Sequence, residues 1–216
     1  RNLLGQGVQA RQVTELISHL NDVLTERLVT LIAEQHQIDL ARVCWLAFGS
    51  EGRSEQTIAT DQDNGIVFTS DQPQQELPAL LAFAREINEA LDACGYPLCK
   101  GNVMASNPEC CLTQAEWSAR FSSWIDHGAP EDLLHASICF DVRPLAGAAA
   151  LTQPMRELVS AQAGRNARFM KQMADNALRN GPALTWTGAI DTHTQCDQQV
   201  MDLKLHGTAV YVDAAR

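Results

Sequence analysis

The sequence predicts an α+β fold in which a small mixed sheet lies among helices, with a helix before it and a helical region after it. Three observations support this prediction. A long stretch near the N-terminus has the apolar periodicity of an amphipathic helix. Two short apolar runs, on either side of a polar turn, have the length of buried strands. The last third of the chain is rich in alanine and helical in pattern.

The N-terminal helix is predicted from about Gln9 to Gln37, and it falls within residues 1–40. Its apolar residues recur at intervals of three and four, which places them on one face. They are Val13, Leu16, Ile17, Leu20, Val23, Leu24, Leu28, Leu31 and Ile32. Because the chain begins with Arg1, we expect it to be a fragment of a longer protein. This helix would then be a brace that connects an upstream domain to the core.

The core is predicted for residues 41–146, and its first part holds two strands and a helix. The strands are Val43–Phe48 and 64–69, and the polar stretch 49–63 connects them. A helix rich in Leu, Ala and Glu opens at Pro73 and runs to about Cys94, where a Gly-Tyr-Pro sequence ends it.

The second part of the core is predicted as loop, helix and strand. Residues 101–108 form a loop with at most a short strand. Thr113–Asp126 form a helix that opens with a capping box between Thr113 and Glu116. Ser137–Val142 form a short apolar strand that carries Asp141.

Residues 147–216 are predicted as a helical C-terminal region. One helical stretch runs to about Asn180, where a Gly-Pro pair breaks it, and another runs from about Gln195 to Arg216 with Gly207 inside. The four tryptophans of the chain are interpreted as core anchors: Trp45, Trp117, Trp124 and Trp186.

The polar connection between the first two strands carries the chemistry. Gly49-Ser50 directly follows a strand, and a small turn of this kind lets backbone groups approach phosphate oxygens closely. Asp61 and Asp63 lie at i and i+2 of an extended segment, so their carboxylates point to one face and can share a cation. The alternative is an Asp-rich turn whose carboxylates cap backbone amides. The Gly-Ser turn and the flanking strands favour metal binding, and hence phosphoryl or nucleotidyl transfer.

These motifs resemble the signature of the DNA-polymerase-β-like nucleotidyltransferase superfamily. The fuller string is similar to the nucleotidyltransferase domain found beside CBS and cyclic-nucleotide-binding domains in bacterial signalling proteins, and to the uridylyltransferase that modifies the PII protein. The segments that carry the resemblance are 48–56, 60–64, 101–108, 140–144 and 202–207. The resemblance implies a polymerase-β-like core, with a third catalytic carboxylate for which Asp141 is the match. Asp61, Asp63 and Asp141 would then be the catalytic residues and the ligands of Mg²⁺ or Mn²⁺. The alternative for Asp141 is an ordinary salt-bridged residue.

The remaining site residues would bind the nucleotide. Gly49 and Ser50 would contact the phosphates. Arg53 would neutralise phosphate charge or pair with Glu55. A second set comes from later segments that match the family, and each member has a structural alternative, either loop formation or exposure to solvent: Lys100, Ser106, Asn107 and Lys204. Glu51 and Glu55 are expected at the surface or behind the site residues.

Composition limits the compartment and the partners. The formal net charge is −10, which disfavours broad nucleic-acid binding because that needs clustered Lys and Arg. No apolar run is long enough for a membrane span. Seven cysteines without a secretory signal favour reduced thiols and a cytoplasmic location. Cys94, Cys99, Cys110 and Cys111 lack the paired spacing of zinc knuckles, so buried thiols are favoured over a zinc site.

The sequence therefore predicts a Mg²⁺-dependent nucleotidyltransferase that moves a nucleoside monophosphate from a nucleoside triphosphate to an acceptor hydroxyl, with release of pyrophosphate. A protein acceptor and upstream CBS or cyclic-nucleotide-binding domains follow from the resemblance. The alternative is a catalytically silent module that senses nucleotide and alters protein interactions. A metal-dependent phosphohydrolase ranks last, because the chain lacks the His-Asp spacing of such sites.

Overall fold

The fold is a four-stranded mixed sheet with helices on both faces, followed by a helical region. The computed structural model describes residues 5–58, 60–179, 181, 183–195, 198–202 and 204–215. The strands of the sheet are β1 Val43–Ala47, β2 Asn64–Phe68, β3 Cys111–Thr113 and β4 Arg143–Gly147, in the order β3-β2-β1-β4. β1 pairs antiparallel with both β2 and β4, and β2 pairs parallel with β3. The predicted α+β class is confirmed.

Helices precede, connect and follow the strands. They are α1 Ala10–His36, α2 Gly49–Gly52, α3 Pro73–Ala93, α4 Gln114–His127, α5 Pro130–Cys139, α6 Gln153–Gln162, α7 Ala167–Ala177 and α8 Ala209–Ala215. Single turns of 3₁₀-helix cover Pro108–Cys110, Ala149–Thr152 and Ala163–Arg165. No helix in the part of the chain that the structure describes is long and apolar enough to cross a membrane.

Two hydrophobic clusters cover the two faces of the sheet. Alternate residues of β1 point to opposite faces, so Trp45 packs toward α1 and α3 while Leu46 packs toward α4, α5 and α6. All five residues of β1 and all five of β2 are buried. This double burial explains why β1, and β2 after its first residue Asn64, read as continuous apolar runs rather than as alternating ones.

Local sequence signals place most of the boundaries. The predicted N-terminal helix, the first two strands and the helix that opens at Pro73 are all present. The capping box at the start of α4 is also confirmed, because Thr113 and Glu116 satisfy each other's backbone amides. β3 was not predicted. Three residues are too few to show a period, and the strand exists because it pairs with β2.

The predicted strand Ser137–Val142 is wrong, because these residues begin in α5 and end in the turn after it. The helix starts with Pro130 in its first turn, and the Asp132 carboxylate accepts a hydrogen bond from the Ala129 amide at 3.0 Å. The apolar run of this stretch is the buried side of the helix rather than a strand. Asp141 therefore lies in the turn between α5 and β4, two residues before the strand.

The C-terminal region is helical over most of its first part, as predicted, but its end differs. The predicted helix from Gln195 is wrong at its start, where β5 His193–Gln195 and β6 Gln198–Val200 form a hairpin. Helical structure begins only at the π-helical turn Lys204–Thr208, which contains Gly207, and continues into α8. Trp186 is 98% exposed, so the interpretation of all four tryptophans as core anchors is wrong for this one and holds for the three buried ones.

Candidate functional site

The turn after β1 lies directly over Asp63. The amide of Phe48 donates to the Asp63 carbonyl at 2.9 Å, which holds the end of β1 against the start of β2. Gly49 then takes a φ of +53°, in the left-handed region that favours glycine. A Cβ at Gly49 would lie 3.2 Å from Oδ2 of Asp63. Glycine is therefore the residue that leaves this carboxylate room, and the predicted Gly-Ser turn and Asp63 belong to one site.

Asp141 lies on the other side of the same turn. A Cβ at Gly52 would come within 1.7 Å of the Asp141 carbonyl oxygen, so the two backbones touch in a way that no other residue allows. The Arg143 guanidinium strengthens this contact by donating to the Glu51 carbonyl at 2.8 Å. Asp63 and Asp141 are far apart in sequence, but they lie near the first and the last residue of the four-residue α2.

Arg53 is already engaged by two carboxylates. Its Nε donates to Oε2 of Glu55 at 2.8 Å, and its Nη1 pairs with Oδ2 of Asp141. The Arg53 and Asp141 side chains are both largely buried, whereas Glu55 is exposed. The pairing with Glu55 was one of the two alternatives from the sequence, and the salt bridge of Asp141 was the alternative to its metal role. The pair joins two of the predicted site residues to each other.

Asp61 and Asp63 flank a side chain that points into the protein. Gln62 is buried, while Asp61 is exposed and Asp63 is half-buried. This alternation of exposed and buried side chains is the one expected of an extended segment. The thiol of Cys99 donates to Oδ1 of Asp63 at 3.4 Å. Burial is the main cause that raises the pKa of the Cys99 thiol, so it remains a protonated donor at neutral pH.

Glu51 is an acidic residue of the turn whose side chain is buried. It was expected at the surface or behind the site residues, and at 8% exposure it does not lie at the surface. Burial raises the pKa of Glu51 to about 8. The charge of Asp22 adds to this, Arg143 opposes it, and Asp63 adds a smaller contribution. The sequence shows only that Glu51 lies within the Gly-Ser-Glu-Gly-Arg string. Its burial depends on contacts with α1 and β4, which the sequence around it does not specify.

The loop between α3 and β3 gives its predicted residues different surroundings. Lys100 is exposed. Ser106 is half-buried, and its amide donates to the side chain of Asn88 at 3.1 Å. The side chain of Asn107 makes hydrogen bonds within the loop itself. Its Oδ1 accepts from the Glu109 amide at 3.0 Å, and its Nδ2 donates to the Asn102 carbonyl at 2.9 Å.

Lys204 and the four clustered cysteines lie outside this turn. The backbone of Lys204 is in the π-helical turn, but its side chain lies outside what the structure describes. Of the four clustered cysteines, Cys110 and Cys111 are buried, Cys99 is half-buried and Cys94 is exposed.

The carboxylates near the turn are ligands of the type that a divalent cation needs. Asp61 and Asp63 supply carboxylate oxygens, which is the ligand type that Mg²⁺ prefers. Asp141 supplies a third carboxylate, but it is held by Arg53. Over the described ranges, no group of three His, Cys, Asp or Glu side chains is arranged to hold a metal ion. The chemistry of these side chains therefore suits the ion, while the Asp141 carboxylate is paired with Arg53 and the Asp63 carboxylate accepts from the Cys99 thiol.

Family models match the two ends of the chain. Residues 1–131, more than half of the chain, match the model described as "Putative nucleotidyltransferase DUF294". Residues 167–216 match the model described as "Putative nucleotidyltransferase substrate binding domain". No curated protein matches the chain significantly. The first match contains α2, Asp61 and Asp63, and Asp141 lies beyond its end.

Proposed function

The chain belongs to the DUF294 nucleotidyltransferase family, and on that premise we propose that it transfers a nucleoside monophosphate from a nucleoside triphosphate to an acceptor hydroxyl. The observation that carries the proposal is the position of α2. Its first glycine lies against the carboxylate of Asp63, and its last glycine lies against the backbone of Asp141. A glycine-containing turn with the Asp63 carboxylate at one end, and with Asp141 and its partner Arg53 at the other, is suited to bind an anionic substrate and a cation together.

The residues of the turn would bind the triphosphate. The backbone amides of Gly49 and Ser50 and the Ser50 hydroxyl are the proposed donors to the phosphate oxygens. Arg53, at the end of the same turn, would bring a positive charge to them. Lys100, Ser106, Asn107 and Lys204 remain proposed contacts to the nucleotide. For Asn107 the backbone is the better candidate, since its side chain is used within the loop.

Asp61, Asp63 and Asp141 would hold Mg²⁺ or Mn²⁺. When bound, the ions would offset the charge of the phosphates and lower the pKa of the acceptor hydroxyl. Arg53 would couple nucleotide binding to Asp141, because movement of its guanidinium toward the phosphates would weaken the ion pair with this carboxylate. A triphosphate at the Gly-Ser turn would compete with Asp141 for Arg53, and the freed carboxylate could then complete the set of three.

The proposed reaction forms one bond and breaks one. The oxygen of the acceptor hydroxyl forms a bond to the α-phosphorus, and the bond between that phosphorus and the bridging oxygen of pyrophosphate breaks. Pyrophosphate leaves with the electron pair of the broken bond, and the hydroxyl proton is released to water. The half-buried position of Asp63 and the turn above it would keep the triphosphate in line for this displacement.

The acceptor and the wider context follow from the family resemblance alone. We propose a hydroxyl group on a signalling protein as the acceptor, CBS or cyclic-nucleotide-binding domains upstream in the full-length protein, and action in the bacterial cytoplasm. The net charge of −10 supports a protein acceptor over a nucleic acid, because phosphate backbones need clustered cations.

A nucleotide-sensing module is the second candidate, and the Arg53–Asp141 ion pair favours it. In a sensor, nucleotide binding would break this pair and change how α5 and β4 meet the turn, without any transfer. Both functions require the nucleotide site, but only the enzyme releases pyrophosphate.

The experiment that separates them measures pyrophosphate release with each of the four common nucleoside triphosphates, in Mg²⁺ and in Mn²⁺. Mass spectrometry of a lysate incubated with the preferred nucleotide then identifies the mass that has been added to an acceptor. The enzyme is expected to release pyrophosphate and to add one nucleoside monophosphate. If the protein binds nucleotide but yields neither pyrophosphate nor a modified acceptor, the enzyme proposal is rejected in favour of the sensor.

A further inference from the structure

We propose that Asn88 is a positioning residue that holds the Asp61–Asp63 segment and the Ser106 loop in one fixed arrangement. Asn88 lies on α3 and is 1% exposed. The sequence around Asn88 does not distinguish it from other polar residues on a helix. The inference rests on the proposed nucleotidyltransferase function, because it assigns Asn88 a role at that same site.

Three buried amide side chains form a closed network beneath the site. Nδ2 of Asn88 donates to Oε1 of Gln62 at 2.8 Å and to Oδ1 of Asn64 at 3.0 Å. Oδ1 of Asn88 accepts from the Ser106 amide at 3.1 Å. The nitrogen and the oxygen of Asn88's side chain are therefore both used. The nitrogen bonds the segment that contains Gln62 and Asn64, and the oxygen bonds the loop that contains Ser106.

Backbone groups determine which way each amide points. Nε2 of Gln62 donates to two carbonyls, those of Asn88 at 2.9 Å and Tyr96 at 2.7 Å, so its oxygen must face Asn88. Oδ1 of Asn64 accepts from the Ala105 amide at 2.8 Å, so it too presents an oxygen. The residue between them must offer two donors on one side and an acceptor on the other. Asparagine meets this requirement, whereas aspartate, serine and alanine do not.

The network reaches the proposed metal ligands through the chain itself. Gln62 lies between Asp61 and Asp63, and Asn64 follows directly, so anchoring the two amides sets the direction of both carboxylates. On its other side the network holds Ser106, a proposed nucleotide contact. Asn88 thus sets the spacing between the cation-binding face and the loop. The same segment is also held by two backbone hydrogen bonds that do not involve Asn88. The backbone N–H of Gln62 donates to the Pro97 carbonyl, and that of Asn64 donates to the Val103 carbonyl. The fold should therefore survive the replacement of Asn88.

The test compares Asn88→Asp with Ile87→Val, its neighbour on α3. Ile87 is fully buried in the core beside α1 and takes no part in the network, so its truncation lowers stability alone. The probes are the Mg²⁺ complexes of the four common nucleoside triphosphates. Calorimetry measures the affinity for the nucleotide that binds most tightly, and a Mg²⁺ titration at fixed nucleotide measures half-saturation. Thermal unfolding reports the stability of each variant.

Asn88→Asp is expected to weaken Mg²⁺–nucleotide binding roughly tenfold and to raise the Mg²⁺ half-saturation concentration, while Ile87→Val stays within about twofold of the parent. Asn88→Ser is the second variant, for use if the introduced carboxyl prevents folding, and it should show the same two defects. If either folded variant binds like the parent, the positioning role is rejected. If neither folds, Asn88 is a stability residue and the role is also rejected. A parent that binds none of the four nucleotides would overturn the proposed function itself.

Discussion

Replacing Glu51 by glutamine tests the electrostatics beneath the Gly49–Gly52 turn. Burial, the charge of Asp22 and, more weakly, that of Asp63 raise the pKa of Glu51 from 4.5 to about 8, with Arg143 opposing them. The folded protein therefore keeps a proton that the unfolded chain releases above about pH 4.5. The stability contributed by this protonated carboxyl is fully present below pH 4.5 and is lost as the pH rises to about 8.

The magnitude follows from the gap between the two pKa values. A difference between 4.5 and about 8 corresponds to on the order of 5 kcal/mol of unfolding free energy over the full titration. Glutamine keeps the shape of the side chain and has no proton to lose, so Glu51→Gln should not show this loss. Relative to the parent, the variant should gain stability steadily between pH 5 and pH 8.

The assay is urea unfolding followed by circular dichroism at several pH values between 5 and 8, in buffer with chelator so that no cation offsets the charge. Other titrating groups are common to both proteins and cancel in the difference. Glu89→Gln, at an exposed position of α3, is the control and should track the parent. If the difference between Glu51→Gln and the parent does not change with pH, the carboxyl is not buried in its neutral form and the description of the site is wrong.

Further substitutions test the remaining parts of the site. Asp63→Asn should weaken Mg²⁺–nucleotide binding by roughly tenfold or more in calorimetry, and an unchanged affinity would remove Asp63 from the cation site. Gly49→Val should lower the unfolding free energy by about 1–3 kcal/mol and weaken nucleotide binding, because it combines a positive φ with crowding of Asp63; full nucleotide affinity would show that the turn is not used. Asp141→Asn should retain most nucleotide affinity and lose pyrophosphate release, whereas retained release would exclude it as a metal ligand. Asp22→Ala removes both 2.9 Å bonds to Arg143 and should cost about 1–3 kcal/mol in urea unfolding; an unchanged midpoint would show that this pair does not stabilise the fold.

Local pattern was sufficient where the signal is repeated or chemically specific. α1 shows its apolar period over many turns, and α4 begins with a complete capping box. The stretch 137–142 offered neither signal. A short apolar run has the same composition in a buried strand and on the buried side of a helix, so periodicity could not separate them. The turn that carries Asp141 was therefore predicted as a strand.

The site residues divide in the same way. Gly49, Ser50, Asp61 and Asp63 could be predicted as candidates because their chemistry and spacing are contained in fifteen consecutive residues. Asn88 left no local signal, because its hydrogen bonds are to side chains that α3 meets only after folding. The burial of Glu51 likewise depends on Asp22 and Arg143, which come from distant segments.

By itself, the sequence determined that this protein has an α+β core with a Gly-Ser turn and an Asp-x-Asp pair between its first two strands, because those features depend on neighbouring residues. The tertiary structure alone decided which side chains meet at that turn. It brought Asp141 to the turn from the loop after α5, paired it with Arg53, and buried Glu51 below. These contacts arise from packing between segments that are far apart in the chain, where each group's surroundings, and hence its charge, are set by residues that no local pattern specifies.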